Sequence, residues 1–128
     1  DTCIFLNGEG KVSEGPGSCF FMVKQGTLVT PKLTDSVLES ITRDTVITLA
    51  KKMGIPVQER SIDRTELYLC DEAFLCGSAM ELTPILSVDK YDIAKRENGA
   101  GEITSVLHKA YLDAARGGEK EWVTAVYL

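Results

Sequence analysis

The stretch CFFMVKQGTLVTP, residues 19–31, has a clear strand–turn–strand pattern. Its first five residues are apolar or aromatic, which is typical of a buried strand. Gln25 and Gly26 follow as a turn, and the run TLVT after them predicts a further strand. Pro31 ends that strand, because proline has no N–H to donate to a neighbouring strand. The stretch therefore predicts successive strands of a β-meander.

The segments on either side extend this meander. Residues 3–6 show the composition of an additional strand. On the C-terminal side, apolar residues recur at helical spacing over about residues 42–53 and predict a helix. Gly54 is placed to end that helix in a left-handed cap, and Pro56 prevents its continuation.

The rest of the chain predicts more strands than helices. Strands are expected at residues 55–62, 72–76, 84–88 and 91–93, a short helix capped by Asp63 at residues 63–68, and a final helix at about residues 101–115. The predicted buried side of the final helix comprises Ile103, Val106, Leu107, Ala110, Tyr111 and Ala114. Because the strands do not alternate regularly with the helices, we expect one mixed α/β (α+β) domain over residues 1–128.

Composition excludes several classes of protein. The chain has 14 basic and 19 acidic residues, a net charge of −5 and no basic stripe, so nucleic acid and anionic membranes are poor partners. The longest apolar runs are strand-sized, which predicts no transmembrane helix and, with no secretory signal pattern, a cytoplasmic location. The first residues enter a strand pattern without an initiator Met, as though cut from a longer polypeptide.

The four cysteines do not form a metal-binding pattern. They lack C-x-x-C spacing, and His108 is the single histidine available as a partner, so no metal site is expected. We expect reduced, partly buried thiols, with a contact between Cys3 and Cys19 left open. His108 lies in the final helix, where we assign it no catalytic role.

Glu14 is a candidate for ligand binding because of the turn that follows it. It lies in the run VSEGPGS, residues 12–18, in which two glycines permit close backbone approaches and the proline stiffens the chain. A carboxylate beside such a turn can be aimed at a ligand. The alternative is an ordinary hairpin corner with a solvated glutamate.

Two further segments could bind an anion. Residues 40–44 open the first long helix, where free N–H groups and the Thr42 hydroxyl would suit a phosphate; alternatively, Ser40 or Thr42 merely caps the helix. Residues 77–79, GSA, leave a strand in a turn whose amides and Ser78 hydroxyl could bind phosphate or carboxylate; alternatively, the turn is a plain connection. Together with a carboxylate, these segments suit pyridoxal phosphate, which needs a cradled phosphate and a protonated pyridine nitrogen.

Seven motifs follow one another in a specific order and spacing. They are VSEGPG at 12–17, GTLVTP at 26–31, ITRD at 41–44, MGIPV at 53–57, DEAF at 71–74, GSA at 77–79 and LTP at 82–84. Together with the final helix and Trp122, this order resembles the C-terminal domain of a branched-chain amino acid aminotransferase, a fold-type IV pyridoxal phosphate enzyme. The resemblance implies the larger domain of that fold, a β-meander or pseudobarrel sheet flanked by helices.

The resemblance also implies the roles of individual residues. Glu14 matches the glutamate that binds the pyridine nitrogen of pyridoxal 5'-phosphate. Ile41 and Thr42 match the helix start that holds the cofactor phosphate, and Ser78 matches a second phosphate-binding hydroxyl. The amides of Ser78 and Ala79 match the position that receives the substrate carboxylate.

The implied reaction transfers the amino group of branched-chain L-amino acids to 2-oxoglutarate, in a homodimer. In this family the Schiff-base lysine lies upstream of the Glu14 motif, and no lysine of this chain matches it. We therefore expect that the N-terminal domain and the lysine segment are absent from this chain, and that it is inactive alone. Ser18 and Cys19 replace a common Glu-Asn pair, and Met80 replaces a common alanine, so substrate preference stays open.

Two alternatives remain at this stage. One keeps the fold and changes the reaction to that of a D-amino acid transaminase or an aminodeoxychorismate lyase. The other is non-catalytic, a truncated domain that binds a phosphorylated small molecule or a stable proteolytic remnant.

Overall fold

A five-stranded sheet forms the centre of the protein in a computed structural model, which describes residues 1–79, 81–93 and 101–118. Its spatial order is β3-β2-β1-β4-β5. The strands are β1 (Cys19–Lys24), β2 (Thr27–Thr30), β3 (Val57–Glu59), β4 (Glu72–Gly77) and β5 (Glu81–Pro84). β2 and β3 pair in parallel, and the other neighbours are antiparallel. The hairpin predicted from residues 19–31 therefore contributes two of the three inner strands.

Helices and smaller elements complete the domain. They are α1 (Ile41–Lys52), α2 (Glu102–Ala115), 3-10 helices at Leu33–Asp35 and Arg64–Tyr68, and the two-stranded sheet of β6 (Ser87–Val88) and β7 (Tyr91–Asp92). The expected mixed α/β fold is confirmed. In the ranges that the structure describes, no helix combines the length and apolar character needed to span a membrane.

Both faces of the sheet are buried, which explains why β1 is apolar at consecutive positions. Phe21 and its same-face neighbours pack with α1 and α2, and the Phe21 and Phe74 rings stack with centroids 5.2 Å apart. Phe20 and Met22 point to the other face, where they pack with Ile62 from the segment after β3. A polar side chain on either face of β1 would therefore be buried. This is why β1 lacks the alternation of polar and apolar residues that is typical of a half-exposed strand.

Hydrogen bonds fix both ends of α1 and the start of α2. The Ser40 side chain accepts a hydrogen bond from the Arg43 N–H at the start of α1 (3.3 Å). Gly54, with φ of 75°, ends α1, and the Ile55 N–H donates to the Ala50 carbonyl (2.9 Å). At the start of α2, the Glu72 carboxylate accepts from the Thr104 N–H (2.8 Å), so α2 is capped by a residue of β4.

Three details of the predicted elements are wrong. Residues 3–6 form only a bridge from Leu6 to Val12, and the strand predicted at 55–62 is limited to β3. The strand predicted at 84–88 is divided between β5 and β6, because residues 85–86 leave the sheet before the tight turn at Asp89 and Lys90.

The predicted buried face of α2 also includes one error. Val106 is 40% exposed, whereas Leu107 is buried. Successive helical positions point about 100° apart, and the buried stripe through Leu107 is too narrow to include its neighbour. Met80 and Trp122 lie outside the described residues.

Candidate functional site

The carboxylate of Glu14 has a fixed position in the structure. The Phe5 N–H donates to the Glu14 carbonyl (2.7 Å), and the Leu38 N–H donates to Glu14 Oε2 (3.0 Å). The side chain is half-buried. Glu14 therefore differs from a freely solvated glutamate at a hairpin corner.

The turn after Glu14 is tight and depends on its glycines. The Gly15 N–H donates to the Ser18 carbonyl (2.9 Å), and the Ser18 N–H donates back to the Gly15 carbonyl (3.2 Å). Gly17 has a φ of 62°, a backbone conformation that glycine adopts without strain. The turn thus returns the chain directly into β1 beside the Glu14 carboxylate.

The start of α1 has both a capping side chain and free amides that could bind an anion, which the sequence left as alternatives. Ser40 caps the helix, since its hydroxyl accepts from Arg43 and its carbonyl from the Asp44 N–H (3.1 Å). The N–H groups of Ile41 and Thr42, which precede these, have no acceptor among the described residues. The cap therefore leaves two amides available at the positive end of the helix dipole.

The loop after β4 contacts the Glu14 turn. A Cβ atom on Gly77 would lie 2.8 Å from the Gly17 carbonyl oxygen, so only glycine fits at this position without a shift. Ser78 and Ala79 follow immediately as an exposed turn. The close approach at Gly77 holds these two residues next to the turn that follows Glu14.

Cys19 joins the start of α1 to the same region. A hydrogen bond from the Cys76 thiol lowers the pKa of Cys19, against the effect of burial, and the Ser40 hydroxyl lowers it further. The charge of Glu14 acts on the same thiol in the opposite direction. The Glu14 turn, the start of α1 and the end of β4 therefore converge around the first residue of β1.

Sequence reasoning missed two groups in this region. Ser18 is 6% exposed, and its hydroxyl has no hydrogen-bond partner in the described part of the chain. A buried hydroxyl without a partner is costly, which points to a group that the chain itself does not supply. The other missed group is the Leu38 amide, which orients Glu14. Ser18 ends the glycine motif and could have been found there, whereas no local pattern marks a backbone amide.

Comparison with known proteins assigns the chain to a family. The model for the family described as amino-transferase class IV matches residues 1–88. The chain belongs to this family. A probable branched-chain-amino-acid aminotransferase of Aquifex aeolicus is 44% identical over 131 residues, which cover 99% of this chain and 42% of that protein. This class IV aminotransferase chain thus spans about two fifths of the relatives that it matches.

Solved structures agree with this assignment. The branched-chain aminotransferase of Thermobaculum terrenum in its PLP form is 52% identical, with a TM-score of 0.88 over 95% of this chain and 39% of that one. The T.th. branched-chain aminotransferase complexed with N-(5'-phosphopyridoxyl)-L-glutamate is 37% identical, with a TM-score of 0.91 over 99% of this chain and 43% of that one. The expected fold-type IV architecture and the resemblance to branched-chain aminotransferases are confirmed.

Proposed function

We propose that this class IV aminotransferase chain is the cofactor-binding part of an enzyme that transfers the amino group of branched-chain L-amino acids to 2-oxoglutarate. The observation that carries the proposal is the convergence of Glu14, the α1 amides and the Ser78 turn at one end of the sheet. The names of the relatives support the branched-chain substrate. The glutamate adduct of the T.th. enzyme supports 2-oxoglutarate, the oxo acid of glutamate, as the amino acceptor.

The residues fit pyridoxal 5'-phosphate. The free amides of Ile41 and Thr42 suit its phosphate, because a helix N-terminus stabilises an anion. Thr42 is buried, and its hydroxyl adds a further donor beside these amides. The unpartnered Ser18 hydroxyl lies in the same region as a further polar group. The chain thus offers donors that its own fold leaves unused.

When bound, pyridoxal phosphate supplies an electron sink for the electrons of a broken bond at the substrate α-carbon. Glu14 would keep a proton on the pyridine nitrogen, because a nearby carboxylate stabilises the positive charge there. The Leu38 N–H holds this carboxylate in place through its Oε2 atom.

The turn after β4 would orient the substrate. Ser78 and Ala79 are exposed. Their amides would bind the substrate carboxylate, and the Ser78 hydroxyl would help to hold the cofactor phosphate. The close packing at Gly77 fixes the turn relative to Glu14. Binding the substrate carboxylate here would orient the α-carbon over the cofactor.

The resemblance assigns the proton transfers to a Schiff-base lysine upstream of the Glu14 motif. Since the chain spans 42% of its Aquifex relative, we propose that the Schiff-base lysine and the smaller N-terminal domain belong to the rest of the protein, and that residues 1–128 alone are inactive. We also propose that the protein is cytoplasmic and acts as a homodimer. Leu38 and Ile41, 74% and 88% exposed beside the site, support an interface there.

The test is a substrate comparison with the full-length protein reconstituted with pyridoxal phosphate. L-Leucine with 2-oxoglutarate should give glutamate at the highest rate. D-Alanine and aminodeoxychorismate test the two related reactions of the fold. A faster reaction with either, or no bound cofactor, would overturn the proposal.

A further inference from the structure

Two buried thiols face each other across the sheet beside the candidate site. Cys19 on β1 and Cys76 on β4 are direct partners in the antiparallel ladder. Both belong to the core between the sheet and the helices, so their side chains point to the same face. Direct antiparallel partners have Cα atoms about 4.5 or 5.5 Å apart, within the range that a disulfide spans.

We propose that Cys19 and Cys76 are an oxidation site that forms a reversible intramolecular disulfide when the protein meets a hydroperoxide. Their direct pairing in the ladder, with both side chains on one face of the sheet, already places the two thiols next to each other. This inference does not depend on the reaction proposed above.

The surroundings make Cys19 the attacking sulfur. Its pKa is lowered by the hydrogen bond from Cys76 and by the Ser40 hydroxyl, and the positive charge of Arg43 acts in the same direction. The pKa of Cys76 is raised, first by its hydrogen bond to Cys19 and then by burial, so Cys76 keeps its proton. Thiolate is the nucleophilic form of cysteine, and cationic groups and helix N-termini favour it.

The positive charge of Arg43 can favour the Cys19 thiolate because hydrogen bonds hold the guanidinium in one position. Its guanidinium is 2% exposed and donates from Nη2 to the Pro31 carbonyl (3.0 Å) and to Glu59 Oε1 (2.7 Å). Cys19 starts β1 beside the cap of α1, where the Ser40 hydroxyl also acts on its thiol.

The chemistry balances in two steps. The Cys19 thiolate attacks one oxygen of the hydroperoxide, so an S–O bond forms, the O–O bond breaks, and the leaving alkoxide or hydroxide takes a proton from water. The Cys76 sulfur then attacks the Cys19 sulfenic acid, forming the S–S bond as the S–O bond breaks. The hydroxyl leaves as water with the proton of Cys76, and the two thiols have supplied the two electrons that reduce the peroxide.

The chain also contains matched controls. Cys70 is equally buried, but it belongs to the opposite face of the sheet, and burial raises its pKa to about 11. Cys3 is exposed and has no partner cysteine in the ladder. If burial alone decided oxidation, Cys70 would react as readily as Cys19 and Cys76. If exposure alone decided it, Cys3 would react first.

The experiment treats the full-length protein with hydrogen peroxide, blocks remaining thiols with N-ethylmaleimide, and maps unreduced peptides by mass spectrometry. The expected result is loss of both thiols and a Cys19–Cys76 peptide pair two hydrogens lighter than the free peptides, reversed by dithiothreitol. The Cys70→Ser variant should give the same pair. In Cys76→Ser the pair should be lost, and Cys19 should be trapped by dimedone as its sulfenic acid.

The wild-type peptide map decides the question even if a core variant fails to fold. Cys19 and Cys76 both remaining open to N-ethylmaleimide after peroxide treatment would overturn the inference. Oxidation confined to Cys3, or linkage of Cys19 to any cysteine other than Cys76, would overturn it as well.

Discussion

At the scale of single residues, Glu14 carries the greatest part of the functional proposal. Its backbone is fixed by Phe5 and one carboxylate oxygen by the Leu38 amide. The other oxygen makes no hydrogen bond to the residues that the structure describes, which leaves it available to a ligand. The carboxylate is thus preorganised, and no cation among the described residues forms an ion pair with it.

The substitution Glu14→Gln should separate charge from shape. The amide keeps an acceptor for the Leu38 N–H but cannot hold a proton on a pyridine nitrogen. Loss of a charged hydrogen bond is worth about 1.5–3 kcal/mol, so we expect kcat with L-leucine to fall about 10- to 150-fold in the full-length enzyme. Steady-state kinetics at saturating pyridoxal phosphate measure this fall. Glu9→Gln, in an exposed turn nearby, is the control, and equal activities of the two variants would contradict the role of Glu14.

Ser18 offers a test with two readouts. Its buried hydroxyl has no partner in the described part of the chain, so Ser18→Ala should leave the unfolding free energy of the cofactor-free protein unchanged or higher. If the hydroxyl serves the cofactor, the Kd for pyridoxal phosphate should rise about fivefold, equivalent to about 1 kcal/mol. Urea unfolding and fluorescence titration measure the two quantities.

The control for Ser18 is Ser105→Ala, at an exposed position on α2. A loss of stability in Ser18→Ala with unchanged cofactor affinity would assign the hydroxyl to the fold instead of the site.

At the scale of elements, the contact between the end of β4 and the Glu14 turn builds the site. Gly77→Ala would bring a Cβ to 2.8 Å from the Gly17 carbonyl oxygen. We expect a loss of about 1–3 kcal/mol in unfolding free energy, because backbone atoms must shift, together with weaker cofactor binding. Gly8→Ala is the matched control, since nothing lies within 4 Å of its added Cβ. Equal urea midpoints for the two variants would contradict the close packing.

The 3-10 helix at Arg64–Tyr68 gives a prediction about pH. Glu66 accepts from Arg60 Nη2 (2.8 Å) and from the Asp63 N–H (2.9 Å), and the Arg60 hydrogen bond is the main cause that lowers the pKa of Glu66 to about 2. A lowered pKa means that the ionised form stabilises the fold above the ordinary value of 4.5, and this contribution is lost as the pH falls through about 2.

Glu66→Gln should therefore lower the unfolding free energy at pH 7 by about 1–2 kcal/mol, after allowance for solvent screening. The difference from wild type should shrink from pH 4.5 downward and vanish near pH 2, as measured by urea unfolding at a series of pH values. Glu39→Gln, at an exposed position, is the control. A difference that stays constant with pH would contradict the ion-pair account.

The elements also show how far sequence reasoning reaches. β1, β2 and α1 were predictable because their signals are local, namely apolar runs, the Gln25-Gly26 turn and the Gly54 cap. Residues 3–6 misled the prediction, because they pair with the nearby residues 12–14 through a single bridge and a few backbone hydrogen bonds, which do not make a strand.

The same distinction applies to the candidate site. Its residues could be proposed from motifs, but their convergence required the tertiary contacts at Gly77 and Leu38. Whether a buried hydroxyl such as that of Ser18 finds a hydrogen-bond partner depends on the packing around it, and no sequence pattern predicts that packing.

At the scale of the whole molecule, the site lies on a face that the described residues leave partly open. Leu38 and Ile41 expose most of their side chains there, although both are strongly apolar. The chain covers 39% of the Thermobaculum terrenum structure that it resembles. We therefore expect the rest of the protein, or a second copy, to cover this face when the enzyme is complete.

The most direct test of the account is a crystal structure of the full-length protein with pyridoxal 5'-phosphate. The account predicts a carboxylate oxygen of Glu14 within hydrogen-bond distance of the pyridine nitrogen. It also predicts the phosphate on the amides of Ile41 and Thr42 and near the Ser78 hydroxyl. A cofactor bound elsewhere, or one whose pyridine nitrogen has no contact with Glu14, would contradict it.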